Sequence, residues 1–205
     1  MNTCLPAGRL DTVKKVNYNE SMLSVVICTI NEEKNLKRAV DSVKSIADEI
    51  VVVDTESTDK TVDMAKKLGC KVFKHKNTGI IEPVRNFAVS KATSEWILLL
   101  DADEEVSGDL AQEIVKIKAN PKADFYCIPR QNIIFGKWIK SDHWWPDYTY
   151  RLFKKDSIIW HDEIHSLPKI IGKGIDLENF IIHHNYQTVS QYLKKGSSVL
   201  IEGRI

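Results

Sequence analysis

The sequence predicts an α/β fold: a mostly parallel sheet flanked by helices, followed by a smaller antiparallel β-rich region and a C-terminal helix. Short apolar runs of strand type alternate with amphipathic helical patterns over residues 22–122. The apolar runs are unbroken, as is usual for parallel strands buried on both faces. From residue 123 onward, aromatic and β-branched segments such as "DFYCIPRQNIIFGKWI" replace this alternation.

Each element of the first part has a local signal. The predicted strands are "SVVICT", "EIVVVD", "KVFKH" and "EWILLLD". The first helix carries apolar residues at helical spacing from Leu36 onward, and Asn31 is its expected cap. Further helices are expected at 57–69, after Pro83, and at 108–118.

Bulk composition excludes several classes of protein. The formal charge is +1, and the 29 basic and 28 acidic residues are scattered along the chain. Because the basic residues form no stripe, the sequence does not predict binding to nucleic acid or to anionic lipid. The run from Trp96 to Leu100 is far too short to span a bilayer, and the N-terminus lacks a signal-peptide pattern. The cysteines form no C-x-x-C pair and are expected to be reduced thiols. We therefore predict a cytoplasmic location.

The stretch "WILLLDADEEVS" places acidic residues directly after a buried strand. In an extended chain, residues two apart point the same way, so Asp101 and Asp103 are expected to share one ligand. Hard carboxylate oxygens suit Mg²⁺ or Mn²⁺ held together with substrate phosphates. The alternative is a loop or cap role, which is common for an isolated D-x-D.

Two other predicted strands also end in polar residues. Thr29, Asn31 and Glu32 follow the first strand, and Asp54 ends the second. Ligands of open α/β sheets bind beyond the carboxyl ends of the strands, so a binding site is expected there. Helix capping for Asn31 and Glu32, and a turn role for Asp54, are the alternatives.

Several segments together resemble one family. "LSVVICTINEEKNLKRAVDSV", "EIVVVDTESTDKTVDMAKKLG", "VRNFAVSKATSEWILLLDADEEVS" and "YRLFKKD" resemble family 2 glycosyltransferases of the GT-A (Rossmann-like) fold, most closely the branch of lipopolysaccharide-core glucosyltransferases. The resemblance implies inverting, metal-assisted transfer of a hexose from a nucleotide-diphosphate sugar, with UDP the expected nucleotide. It also implies Mn²⁺ or Mg²⁺ as cofactor and a glycan or glycolipid as acceptor.

The resemblance assigns roles to individual residues. The implied nucleotide-binding residues are Thr29, Asn31, Glu32, Asp54, Arg85 and Asp101. The implied metal ligands are Asp103 and Asp101, with His183 as a further candidate. Thr55-Glu56 departs from the family pattern, which often has small residues there, so the donor base is less firmly implied.

The catalytic base is expected in the second half of the chain, because an acceptor hydroxyl must lose a proton to a nearby carboxylate or histidine. Ser166 stands where the family pattern has Glu. Glu163 is therefore the first choice for the base, Asp147 the alternative, and His165 a ligand or orienting group. Arg151 either reaches the diphosphate or pairs with an acid, and Trp145 either stacks on sugar or fills the core.

We expect three parts: an N-terminal extension or leader (1–21), a nucleotide-sugar-binding α/β half (22–122), and an acceptor-side region with the C-terminal helix (123–205). The last helical pattern reaches Ile205 without a stop signal. We therefore expect the natural chain to continue, and such a continuation could make peripheral contact with the inner face of the membrane.

Two other classes of protein remain as alternatives. A phosphatase of the haloacid dehalogenase type also has an apolar strand followed by D-x-D, with a nucleophilic first Asp. That family usually carries the motif on its first strand, whereas here it follows the fourth predicted strand. A glycan-binding GT-A domain that has lost its base is the non-catalytic alternative, and Ser166 is the residue that favours it.

Overall fold

A computed structural model describes residues 21–79, 81–141, 144–160 and 168–193. Its strands are β1 (Leu23–Thr29), β2 (Glu49–Asp54), β3 (Lys71–Lys74), β4 (Trp96–Asp101), β5 (Glu104–Val106), β6 (Phe125–Ile134), β7 (Lys137–Trp138), β8 (Asp147–Lys154), β9 (Ile158–Ile159), β10 (Lys169–Ile170), β11 (Gly174–Asp176) and β12 (Ile181–Tyr186). Its helices are α1 (Leu36–Val43), α2 (Thr61–Lys67), α3 (Glu82–Lys91) and α4 (Gly108–Ala119).

Within these residues, ten strands form one sheet whose main path runs β3-β2-β1-β4-β8-β6-β12-β5. The strands β3, β2, β1 and β4 run parallel to one another, as the unbroken apolar runs of β1, β2 and β4 predict. The strands β8 and β6 then join in antiparallel order, and β12 lies parallel to β6. The predicted α/β fold, with a parallel sheet and an antiparallel extension, is confirmed.

Helices cover both faces of the parallel half, because alternate residues of each strand point to opposite sides. On one face, Val25 and Ile27 of β1 pack in a core with α1, α2 and α4. On the other face, Val26 and Cys28 pack with α3. All four of these residues are buried, so the carboxyl end of β1 is fixed by packing on both sides.

The helix ends differ from the prediction at Asn31. This residue has a left-handed backbone conformation (φ 54°), and α1 begins only at Leu36, after Asn35. The Asn31 Oδ1 atom accepts a hydrogen bond from the Thr58 N–H at 2.8 Å, so Asn31 holds the loop before α2 instead of capping α1. The prediction of Asn31 as a helix cap was therefore wrong.

The two halves of the chain meet in the sheet. The short strand β5 leaves the first half and pairs with β12, near the end of the described chain. The boundary that we predict at residue 122 falls between α4 and β6, where no strand is interrupted. No helix in the described ranges is both long enough and apolar enough to cross a bilayer.

Glu49 joins three neighbouring elements at the start of β2. Its side chain is only 7% exposed and accepts hydrogen bonds from Ser24 of β1, from Lys71 of β3, and from Thr93. Burial alone would raise the pKa of Glu49, but these hydrogen bonds lower it from 4.5 to about 2. The ionised carboxylate therefore stabilises the folded state.

We predict that Glu49→Gln removes a stabilisation that depends on pH. Because the folded-state pKa lies below the unfolded one, the unfolded chain takes up the proton first as the pH falls. The stabilisation is complete above about pH 4.5 and is lost as the pH falls towards 2. Urea unfolding at several pH values should show a wild-type advantage at pH 7 that shrinks over this window. Glu178→Gln, at an exposed position, serves as control. A difference in unfolding free energy between wild type and Glu49→Gln that does not change with pH would contradict the stabilising role of the Glu49 carboxylate.

Candidate functional site

The D-x-D segment is a turn rather than an extended strand. Asp101 is the last residue of β4, Ala102 and Asp103 form a turn, and Glu104 begins β5. The rule that residues two apart point the same way holds only in extended chain. The extended-chain argument therefore does not apply here, and the two carboxylates have different neighbours.

Asp101 is held by arginines. The Arg151 Nη2 atom of β8 lies 2.6 Å from Asp101 Oδ2 and 2.6 Å from Glu104 Oε1. Arg85 Nη2, from α3, lies 3.5 Å from the other Asp101 oxygen. Glu104 Oε2 accepts the backbone N–H of Asp101 at 2.9 Å, which closes the turn. Arg151 therefore pairs with acids, one of the two roles that its sequence position allows.

Two members of this ion cluster are buried, since Glu104 is fully covered and Arg151 is 2% exposed, whereas the Asp101 side chain is 28% exposed. Burial opposes every charge in it, yet the pKa of Asp101 is lowered by Arg151 and Arg85. Burial likewise works against the charge of Arg151, but Asp101 and Glu104 raise the pKa of its guanidinium. The pKa of Glu104 is raised by burial, with Asp101 adding to the shift and Arg151 opposing it. Asp101 and Arg151 thus form a charged pair.

Asp103 faces β12. The His183 Nε2 atom lies 3.5 Å from Asp103 Oδ2, and the Asp103 carbonyl accepts the His184 backbone N–H at 2.9 Å. These contacts follow from the pairing of His183 with Glu104 in the β5–β12 ladder. The sheet therefore brings together Asp103 and His183, two of the metal ligands that the resemblance implies.

The Asp103–His183 pair fits a divalent cation that a substrate also binds. A carboxylate oxygen and an imidazole nitrogen are common ligands, and Mg²⁺ typically takes one or two protein ligands together with substrate phosphates and water. Among the described residues, no group of three or more His, Cys, Asp or Glu side chains is arranged to hold a metal ion. The pair thus suits a shared site better than a closed protein cage.

Three polar residues of the site were missed by sequence reasoning: Glu104, Arg130 and Asn132. Arg130 binds Asp147 Oδ2 through Nη2 at 2.7 Å, and Asn132 Nδ2 donates to the same oxygen at 3.1 Å. Arg130 and Asn132 are two apart in β6 and face one side of the strand. The available signal was a charged residue and an amide inside the strand-like run "FYCIPRQNII".

A buried polar atom without a hydrogen-bond partner lies at the end of β1 and another at the end of β2. Thr29 and Asp54 are 3% and 1% exposed. Within the described part of the chain, Thr29 Oγ1, Asp54 Oδ1 and Arg85 Nε have no hydrogen-bond partner. Buried polar groups are nearly always paired in native proteins, so such a group indicates a missing ligand or water.

Three cavities surround these strand ends. The largest, about 620 Å³, is lined by residues from the β1–α1 loop, by Asp103, and by the segment after His183. Asn31 and Glu32 line this cavity, and their backbone N–H groups donate to Ser57 and Thr61. A cavity of about 560 Å³ adjoins Asp54.

A third cavity, of about 280 Å³, is lined by three arginines and by Glu82. Arg85, Arg130 and Arg151 line it together with Tyr148 and Tyr150. Their guanidinium groups also contact Asp101, Glu104 and Asp147, so the positive charge is partly compensated from behind. The cavity remains a place where an anionic ligand meets several guanidinium groups.

The remaining predicted residues fall in two classes. Glu163 and His165 lie outside the described residues, so their roles stay predictions. Trp145 packs edge-on against Trp138, with ring centroids 5.0 Å apart, and also contacts Phe180. Trp145 therefore belongs to an aromatic cluster on the antiparallel side.

Comparisons with known proteins agree on one family. The sequence model of Glycosyl transferase family 2 matches residues 24–168. An uncharacterized glycosyltransferase of Rickettsia typhi is 46% identical over 192 residues, covering 85% of this chain and 64% of the relative. Glycosyltransferase SunS of Bacillus subtilis is 30% identical over 192 residues, covering 86% of this chain and 43% of SunS. The chain thus spans less than two thirds of the length of either relative.

Solved structures agree on the fold. S. aureus TarS in complex with UDP-GlcNAc superimposes with a TM-score of 0.64 at 18% identity, covering 83% of this chain and 60% of that chain. TarS without that ligand gives a TM-score of 0.61 at 17% identity, covering 88% of this chain and 65% of that chain. The predicted GT-A fold is confirmed.

We predict that Arg151→Met destabilises the protein strongly. The substitution keeps an apolar stem but removes the nearest cation of the fully buried Glu104, and loss of a buried partner typically costs about 3–5 kcal/mol. Urea unfolding at pH 7 measures the loss. Lys154→Met is the matched control on the same strand, because its exposed pair with Asp124 should contribute less than about 1 kcal/mol. Equal losses in the two variants would contradict the central role of Arg151.

Proposed function

The chain belongs to glycosyl transferase family 2, and we propose that it is an inverting hexosyltransferase. The donor is a nucleotide-diphosphate sugar, with UDP as the expected nucleotide, and the acceptor is a glycan or glycolipid. The observation that carries the proposal is the position of Asp54 at the end of β2 and of Asp101 and Asp103 at the end of β4, on either side of β1 and beside cavities with unpartnered buried polar atoms. The glycosyltransferase relatives and the UDP-GlcNAc complex of TarS support it.

We assign the nucleotide to the ends of β1 and β2. The unpartnered Asp54 Oδ1 can accept a hydrogen bond from a ring N–H of the base, and the neighbouring Thr29 Oγ1 is also unpartnered. The cavity beside Asp54 also contains Lys74 and His75, which suit a planar polar base. Arg85 lies between this region and Asp101, where it can meet the phosphates.

The metal is assigned to Asp103 and His183. Asp101 is a weaker candidate than its sequence position indicates, because guanidinium groups lie beside both of its carboxylate oxygens. A bound Mn²⁺ or Mg²⁺ supplies positive charge to the departing diphosphate. Asp101 and Arg151 would then hold the turn in place, and the guanidinium of Arg85 would add charge near the same phosphates.

The catalytic base is assigned to Glu163, with Asp147 as the alternative. Inversion requires the acceptor hydroxyl to attack from the side opposite the diphosphate while a nearby group takes its proton. Asp147 Oδ2 already accepts from Arg130 and Asn132, which leaves its other oxygen for such a role. His165 would orient the acceptor or the base.

The phosphatase alternative fits this chain poorly. Its mechanism needs the first Asp as a nucleophile, and Asp101 is occupied by Arg151 and Arg85. A glycan-binding role without catalysis remains the second candidate, favoured by Ser166. UDP release from UDP-glucose, compared with p-nitrophenyl phosphate hydrolysis, with and without Mn²⁺, separates transferase, phosphatase and binding protein.

The class of acceptor determines where in the cell we expect the protein to act. A glycolipid acceptor would bring the protein to the inner face of the membrane, whereas a soluble glycan would not. Membership of the lipopolysaccharide-core branch is part of this proposal, and activity on core oligosaccharide would support it.

We predict that Asp103→Asn removes the metal dependence of nucleotide binding. Loss of the carboxylate charge should reduce Mn²⁺ affinity in the presence of UDP by at least about 10-fold, while metal-free UDP binding stays unchanged. Calorimetry of UDP with and without Mn²⁺ measures both quantities. Asp109→Asn, an exposed change of the same charge in α4, is the control. If Mn²⁺ strengthens UDP binding to Asp103→Asn as much as it does to the wild type, Asp103 is not a metal ligand.

We predict that Glu163→Gln binds UDP and Mn²⁺ normally but loses turnover. Removing a general base should lower the rate of UDP release from a suitable UDP-sugar by about 10²–10⁴-fold. Asp147→Asn is measured in parallel, because the larger loss identifies the base. Undiminished turnover in Glu163→Gln would transfer the role to Asp147 if that variant is impaired.

A further inference from the structure

Asn132 lies at the centre of the polar network behind the D-x-D turn. It is 1% exposed and is paired with His183 across the β6–β12 ladder. The Asn132 Oδ1 atom lies 2.7 Å from His183 Nδ1. The Asn132 Nδ2 atom donates to the Trp144 carbonyl at 3.2 Å and to Asp147 Oδ2 at 3.1 Å. The Asn132 amide therefore contacts both His183, the proposed metal ligand, and Asp147, the alternative catalytic base.

The orientation of this amide follows from its partners. A backbone carbonyl can only accept hydrogen bonds, so the NH₂ group of Asn132 must face Trp144. The amide oxygen then faces His183, and an amide oxygen can only accept. His183 must therefore carry a proton on Nδ1. In the neutral imidazole, this leaves a lone pair on Nε2.

That lone pair faces Asp103. The Nε2 and Oδ2 atoms are 3.5 Å apart, and two acceptors at this distance repel each other unless positive charge lies between them. Two ligands of one ion, each bound at about 2.0–2.2 Å, are separated by a similar distance. The geometry thus prepares Nε2 for a cation that Asp103 also binds.

We propose that Asn132 is a positioning residue that fixes the tautomer and ring orientation of His183, so that Nε2 is available to a divalent cation. The inference rests on the proposed function, which assigns that cation to Asp103 and His183. Asn132 is itself held in place, since Arg130, two residues before it on β6, binds the same Asp147 oxygen. Its contribution to the site is therefore indirect, through the ring of His183.

The first test needs no substitution in the network. In metal-free protein labelled with ¹⁵N-histidine, at a pH where the rings are neutral, long-range ¹H–¹⁵N spectra report which nitrogen carries the proton. His183→Gln identifies the signal of His183 among the six histidines. We expect the Nδ1–H tautomer. An Nε2–H tautomer would overturn the inference, whatever the stability of any variant.

The second test measures metal binding directly. Asn132→Leu keeps the size of the side chain but removes its hydrogen bonds, and loss of such a supporting contact typically lowers metal affinity by about 10–100-fold. Electron paramagnetic resonance of Mn²⁺ with saturating UDP gives that affinity, while UDP binding without metal should stay unchanged. Asn179→Leu is the matched control, because it removes a half-buried amide that is bound to Glu113 of α4.

The outcomes separate this inference from the proposed function. Unchanged Mn²⁺ affinity in Asn132→Leu, together with weakened affinity in His183→Gln, overturns the role of Asn132 alone. Unchanged affinity in His183→Gln overturns the assignment of the cation to His183 and the inference with it. Weakened affinity in both, with Asn179→Leu like wild type and the Nδ1–H tautomer in the native protein, supports both.

Discussion

The contact between Arg151 and the two acids Asp101 and Glu104 is the constraint on which the site depends. Arg151 belongs to β8, the first antiparallel strand, and reaches into the end of the parallel strand β4. Because Arg151 and Glu104 are buried and the Asp101 side chain is only 28% exposed, each charge needs its partner. The ion cluster therefore fixes the orientation of the acidic turn and also joins the parallel part of the sheet to the antiparallel part.

Much of the fold could be predicted because its signals are local. The strands β1, β2 and β4 are continuous apolar runs, and the order of strands and helices follows from them. The polar residues that end these strands lie at the edge of the sheet where we propose that the donor binds. The geometry of the D-x-D segment could not be predicted, since the turn at Ala102 depends on Glu104 accepting the Asp101 N–H and on β5 pairing with β12.

The rest of the site is assembled by contacts between distant parts of the chain. His183 meets Asn132 across 51 positions, and Arg151 meets Asp101 across 50. No local pattern carries such pairings, because they arise from the register of β6, β8 and β12. The second half of the chain, expected to serve the acceptor, thus also supports the acidic turn that we assign to the donor.

The pairing of β5 with β12 has a consequence for how the protein is made. The acidic turn emerges from the ribosome long before its partner strand, and domains often begin to fold during synthesis. Until Ile181–Tyr186 has been added, the early sheet can form while Asp103 still lacks His183. A nascent chain is therefore unable to complete its proposed cation site, and that capacity appears only when the sheet gains its last described strand.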